Sequence, residues 1–190
     1  MPAQAEGELD PIAAEITIRP VSSADEAAVH EMRRQPTVIE FTTSLPSERI
    51  EGTRRFLESF GPDDHVLVAE CQGRVVGMAG LHVKRGKQRH SGEIGMMVHD
   101  QYQGRGVGRK LLQALLDLAD THLGLVRVEL EVMADNPRAI RLYESCGFEH
   151  EGRKRRAILR RGGYVDLLIM GRTSGQPRTP AQSAAERGGP

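Results

Sequence analysis

The run Ile16-Thr17-Ile18-Arg19-Pro20-Val21 alternates apolar and polar side chains, the period of a half-buried strand. Ser23 then stands where a helix cap would, with Glu26 at the reciprocal position, and predicts a helix from Ala24 to Arg34. Ser47 opens a second helical stretch, Glu48 to Ser59, that Gly61-Pro62 must end. His65 to Cys71 and Val75 to Lys84 are apolar strands on either side of a hairpin turn, Gln72-Gly73. After the polar turn Gly86 to His90, Gly92 to Val98 is apolar nearly throughout and reads as a central strand. Gly106 to Leu123 carries the strongest helical pattern: Val107, Leu111, Leu112, Leu115, Leu116 and Ala119 fall on one stripe. Val126 to Met133 alternates as a strand does. Pro137 suits the first turn of a short helix that ends at Gly147. Glu149–Leu159 and Tyr164–Met170 flank a last turn at Arg161-Gly162-Gly163.

This order predicts one α/β domain over residues 15–172, with about seven strands and four helices. Residues 1–14 and the Pro-, Gly-, Ser- and Gln-rich residues 173–190 read as flexible tails. A chain of 190 residues can bury one substantial core. Its 26 Lys and Arg balance 26 Asp and Glu, so no bulk charge draws it to nucleic acid or to a membrane surface. No apolar run approaches a membrane span, and Met1 to Pro11 is too polar for a signal peptide. The two cysteines, Cys71 and Cys146, lie far apart, which argues against a disulfide framework and fits a reducing cytoplasm. The histidines are scattered and no metal-ligand spacing occurs, so no metal is expected.

The chemistry concentrates at Gln103-Gly104-Arg105-Gly106-Val107-Gly108, between a strand and the best helix. Glycine permits positive φ and close backbone approach. A helix start offers free N–H groups and partial positive charge. Together they can cradle a pyrophosphate, with Arg105, Arg109 and Lys110 adding charge. The dinucleotide fingerprint fails, because Arg109 stands where a third glycine is required; the triphosphate loop fails for want of Gly-Lys-Ser/Thr. A plain glycine-rich connection is the bland alternative.

The pattern Gln103-x-x-Gly106-x-Gly108 resembles the signature of the GCN5-related N-acetyltransferases. The stretch from Asn136 through Ala139 and Tyr143 to Gly147-Phe148 is similar to that family's second signature. Within the family, Gly92 to Val98 and the closing Glu151-Gly152 … Asp166 look most like the bacterial L-amino-acid N-acetyltransferases. The resemblance covers residues 15–172 and implies acetyl-CoA as co-substrate, held between splayed fourth and fifth strands. It implies that Met97 and Val98 offer main-chain groups to the pantetheine arm, and that the amides of residues 103–109 hold the pyrophosphate. It places Tyr143 at the thioester sulfur, as the acid or stabiliser of the leaving thiolate; the alternative is a tyrosine packed in the core. Asn136 would bond the coenzyme arm, or cap the helix before Pro137, or both. Glu93 falls where several members place a general base, and a buried carboxyl there would rise in pKa toward its task; the alternative is a surface carboxylate. His90 and His99 are rival bases, and Cys146 a remote candidate for an acyl carrier.

The acceptor is expected to be a small primary amine. The segment Met32 to Phe41 mixes arginines with apolar side chains, so Arg33 or Arg34 could grip a carboxylate while Phe41, Val38 or Met32 meets an apolar body. Solvated helix-end charges are the competing reading. Arg153-Lys154-Arg155-Arg156 reads as a solvated strand end or as a contact to the coenzyme's ribose phosphate. Alternatives are acetylation of a protein N-terminus, a lysine or a polyamine, and a non-catalytic CoA-binding regulatory domain. The near-continuous apolar run Val165 to Met170 predicts burial on both faces and hence a homodimer.

Overall fold

The computed structural model describes residues 15–174, so the expected tails at 1–14 and 175–190 lie outside the described residues. The chain runs β1 (Ile16–Pro20), α1 (Glu26–Arg33), α2 (Pro36–Phe41), α3 (Ile50–Glu58), β2 (Asp64–Cys71), β3 (Arg74–Val83) and β4 (Ser91–Val98). It continues with α4 (Val107–Asp117), β5 (Arg127–Met133), α5 (Pro137–Glu144), β6 (Glu149–Arg160) and β7 (Gly163–Thr173). The seven strands form one sheet in the order β1-β2-β3-β4-β5-β7-β6.

Local chemistry explains most boundaries. Gln72-Gly73 and Arg161-Gly162 both have positive φ at the two turn positions, 51° and 77° in one case, 50° and 76° in the other. That is the two-residue turn whose twist matches paired strands. The first cap falls one residue earlier than expected. Ser22 donates its backbone N–H to Asp25 Oδ2 at 2.8 Å, so a short turn at Ser23–Asp25 precedes α1. One helix, α2, exceeds the four that the pattern predicts: six residues are too few to show a period. Pro36 sits in its first turn, and the Thr37 N–H donates to Asp100 Oδ2 at 3.0 Å. The expected helix to Leu123 is continuous, but it widens into a π turn over Leu118–His122. Thr173, assigned by its neighbours to a tail, closes β7 instead.

The helical stripe predicted for α4 is buried throughout and packs on Ala69, Val76, Leu81 and Val128. Gly77 allows that approach: a Cβ there would stand 2.8 Å from Val107 Cγ1. On the other face α1 and α2 lay Val29, Met32 and Val38 over Val66, Val68 and Met78, with Phe56 and Leu57 of α3 packed beside them.

The sheet parts at its parallel pair. β4 and β5 are in register only from Ser91↔Arg127 to Glu93↔Glu129. Beyond Glu93, β4 stays with β3 as far as Val98 while β5 stays with β7 as far as Met133. The gap leaves main-chain groups on two facing strand edges, which is the place an extended ligand can add hydrogen bonds.

Candidate active site

A cavity of about 830 Å³ opens in this gap. One wall is the glycine loop and α5; the floor is β3 and β4; the far wall is α2, α3 and the segments beside them.

The loop wall carries the phosphate-binding features. Gly104 and Gly106 have φ of +80° and +83°. Gly106 is the N-cap of α4 and no side chain caps it, so the first amides of the helix remain available to a ligand. Gln103 braces the loop: its Nε2 donates to Val98 O at 3.0 Å, and its Oε1 accepts from Arg138 at 2.9 Å. The Val98 carbonyl is therefore already engaged. Met97 and Val98 both line the gap. Val107 turns inward to the core, leaving only its backbone to the loop, and Arg105 is half-buried outside the cavity lining. Arg109 reaches over to Ser145 Oγ at 3.0 Å, and Lys110 points away, toward Ile16 O. Arg138, whose guanidinium lies beside Gly104, supplies a cation that the sequence reading overlooked inside its own second motif. These features fit a pyrophosphate: free amides, positive-φ glycines and cations at one helix start.

α5 places the next two residues. Asn136 Oδ1 accepts the Ala139 N–H at 3.1 Å, the N-cap that its position before Pro137 implied, and Asn136 also lines the cavity. Tyr143, one helical stretch on, is 6% exposed, edge-on to Phe148 with ring centroids 5.9 Å apart. It belongs both to the core and to the cavity wall. Burial alone pushes its phenol pKa up, so the hydroxyl keeps its proton at neutral pH.

Several expectations change in the structure. Glu93 reaches the cavity but is exposed, so it is not the buried carboxyl that a general base on this strand calls for. Its carboxylate has no ion-pair partner among the described residues. Of the arginine pair, only Arg33 faces the cavity; Arg34 is an exposed helix-end residue outside it. Arg33 is already engaged by Glu48 and lies over the Phe56 ring at 4.4 Å, with its Nε buried and without an acceptor. A single helix turn decides which of two adjacent arginines points inward, and the polar stretch there has no period to read. The rival bases also fall away from the cavity. His90 is exposed on a turn, and His99 is buried between Arg74 and Glu31. Cys146 is half-buried beside Arg109 and does not line the cavity. Among Arg153, Lys154, Arg155 and Arg156, none lines it either; Arg153 and Lys154 are tied to Asp166 and Glu131.

Sequence reading missed three lining residues, Phe56, Phe60 and His82; Asp64, behind the cavity lining, is the partner of His82. His82 alternates with Gly80 and Met78 on one predicted strand, a period-two signal that places all three on one face.

The sheet parted at its parallel pair, with uncapped helix amides and a buried phenol on one wall of the gap, has the layout an acyl-CoA-dependent N-acyltransferase needs. The chain belongs to the acetyltransferase (GNAT) family, whose model matches residues 27–148. It is 33% identical to the L-amino acid N-acetyltransferase AaaT of Escherichia coli (strain K12), over 83% of this chain and 98% of that one. It is 25% identical to the spermidine N(1)-acetyltransferase of Vibrio cholerae, over 82% and 91%. The structure of yncA from Salmonella typhimurium with its cofactor acetyl-CoA superimposes with a TM-score of 0.75 at 27% identity, covering 87% of this chain and 98% of that one. Acetyl-CoA is the co-substrate. Among the described residues no cluster of His, Cys, Asp and Glu is placed to hold a metal ion, and no helix is long and apolar enough to cross a membrane.

Proposed function

We propose that the protein acetylates the primary amine of a small molecule, an L-amino acid with an apolar side chain, by direct attack on acetyl-CoA in a ternary complex. The observation that carries this reading is the continuity of one cavity. It joins the glycine loop to an end lined by Phe41, Phe56, Phe60 and Val66, so a small apolar acceptor fits beside the thioester. Arg33 is the cation at that end, and its unsatisfied Nε–H is a donor that a ligand oxygen would engage after a small rotation. The likeness to an L-amino acid acetyltransferase supports the same class.

In this reading Gln103 braces the loop, the amides from Gly104 to Arg109 hold the pyrophosphate, and Arg105 and Arg138 add charge. Met97 and Asn136 bind the pantetheine arm. Tyr143 hands its proton to the leaving thiolate. A second reading, a polyamine acceptor, rests on Glu93, whose unpaired carboxylate faces the cavity and would attract a second ammonium; the likeness to a spermidine acetyltransferase agrees with it.

Acceptor comparison separates the two. With phenylalanine, phenethylamine and spermidine in a thiol-release assay, kcat/KM is expected to be highest for phenylalanine. The amine without its carboxylate should be about tenfold to a hundredfold poorer, the worth of a charge-assisted hydrogen bond. Equal values for phenylalanine and phenethylamine remove the role of Arg33, and a preference for spermidine replaces the amino acid by the polyamine.

A homodimer in the cytoplasm completes the proposal. Within one chain Val165, Leu167, Leu168 and Ile169 are only half-buried, and only Met170 of that run is fully covered. Leu159 and Tyr164, near the turn, are 69% and 65% exposed. A partner would cover this apolar hairpin. Light scattering at micromolar concentration should give the dimer mass; a monomer mass rejects it.

A further inference from the structure

The cavity floor holds an oriented imidazole. Asp64, His82 and Glu93 are cross-strand neighbours on β2, β3 and β4, so their side chains share the face that lines the acceptor end. His82 Nδ1 lies 2.6 Å from Asp64 Oδ1. The other carboxylate oxygen, Oδ2, accepts the Gly61 N–H at 2.6 Å, so both oxygens are committed and the carboxylate is fixed in place. These two hydrogen bonds, that from His82 first, hold the Asp64 pKa below its ordinary value, and an ionised carboxylate can only accept. Nδ1 therefore carries the proton, and in the neutral ring Nε2 carries the free lone pair. Nε2 leans over Gly80: a Cβ at that position would stand 2.9 Å from it. Any larger residue at Gly80 would push the ring from its present place. Phe60, centroid to centroid at 6.0 Å, supports the ring from the side.

We propose that His82 is the catalytic base for the acceptor amine, with Asp64 as its positioning residue; this rests on acetyl transfer to a small amine as the activity. The acceptor enters as an ammonium. His82 Nε2 takes one of its protons, directly or through water, and becomes an imidazolium stabilised by Asp64. The freed lone pair forms the C–N bond at the thioester carbonyl and the C–S bond breaks. The second proton leaves the amide nitrogen as the thiolate is protonated, with Tyr143 between them, and the imidazolium returns its proton to solvent. The charged groups facing His82 are Asp64, Glu93 and, further along the strands, the Lys84–Glu129 and Arg85–Asp63 pairs. Glu93 lies opposite His82 and favours the ammonium's approach.

Two measurements test this. His82→Gln should lower kcat about a hundredfold near neutral pH with the KM for acetyl-CoA unchanged. The deficit should shrink as the pH passes the amine's own pKa, where the acceptor arrives neutral; a merely structural loss would be the same at every pH. Nitrogen NMR of the wild-type imidazole, which needs no turnover, should show the neutral ring protonated on Nδ1. A kcat within about twofold of wild type, a pH-independent loss, or a neutral ring protonated on Nε2 overturns the assignment. Wild-type protein inert to every amine would sink acetyl transfer itself, and the base with it. An active wild type with an unaffected His82→Gln variant sinks the base alone.

Discussion

Replacing Gly106 by valine is expected to weaken acetyl-CoA binding by at least about a hundredfold, roughly 2.7 kcal/mol, in a protein that still folds. Gly106 holds φ at +83° and ψ at −6° as the N-cap of α4. A β-branched residue is a steric outlier there, at a cost of about 1–3 kcal/mol. The chain relieves that strain by turning the peptide over, and the amides at the helix start then cease to converge on one point. Gly106 is exposed, and the residue after it, Val107, anchors α4 in the core. The core therefore does not depend on what fills position 106. Calorimetry with acetyl-CoA, alongside a melting curve to confirm folding, measures the effect. Unchanged affinity in the folded variant would remove the loop from coenzyme binding.

Tyr143→Phe should lower kcat about a hundredfold to ten-thousandfold with little change in acetyl-CoA affinity. The ring already packs in the core against Phe148, and phenylalanine keeps that packing. What is lost is the hydroxyl, whose pKa burial has raised. Such a phenol is a poor acid toward water, but in the proposed mechanism it would meet the thiolate as it forms, where the leaving charge makes the proton worth transferring. The effect belongs to the chemical step and not to binding, so single-turnover kinetics should slow as kcat does. A kcat within about twofold of the unmodified enzyme would leave Tyr143 as a core residue only.

The same distinction between local and distant causes divides what was legible in the chain. Gln72-Gly73 and Arg161-Gly162 specify their turns because positive φ is a property of two residues. The stripe from Val107 to Ala119 specifies a buried helix because its period lies within a few turns. Asn136 before Pro137 specifies a cap, and the two glycine-bearing motifs specify one wall of the cavity, since both are short and continuous. The sequence by itself thus determined the α/β class, the strand order of the hairpins and most, though not all, of the residues on that wall: it missed Arg138 and counted Arg105 and Val107, which do not line the cavity.

Tertiary structure decided the acceptor side. Asp64 and His82 are 18 positions apart and meet only through the β2–β3 register. Glu93 is open to the cavity because the β4–β5 ladder stops at that residue. Arg33 faces inward and Arg34 outward because α1 seats Val29 and Met32 on the sheet, a choice made by packing. His99 looked like a base at a strand end, yet the fold closes it between Arg74 and Glu31. Each of these depends on pairing or packing between segments distant in the chain. Register and helix rotation are set by the summed burial of whole elements, which no window of neighbouring residues contains.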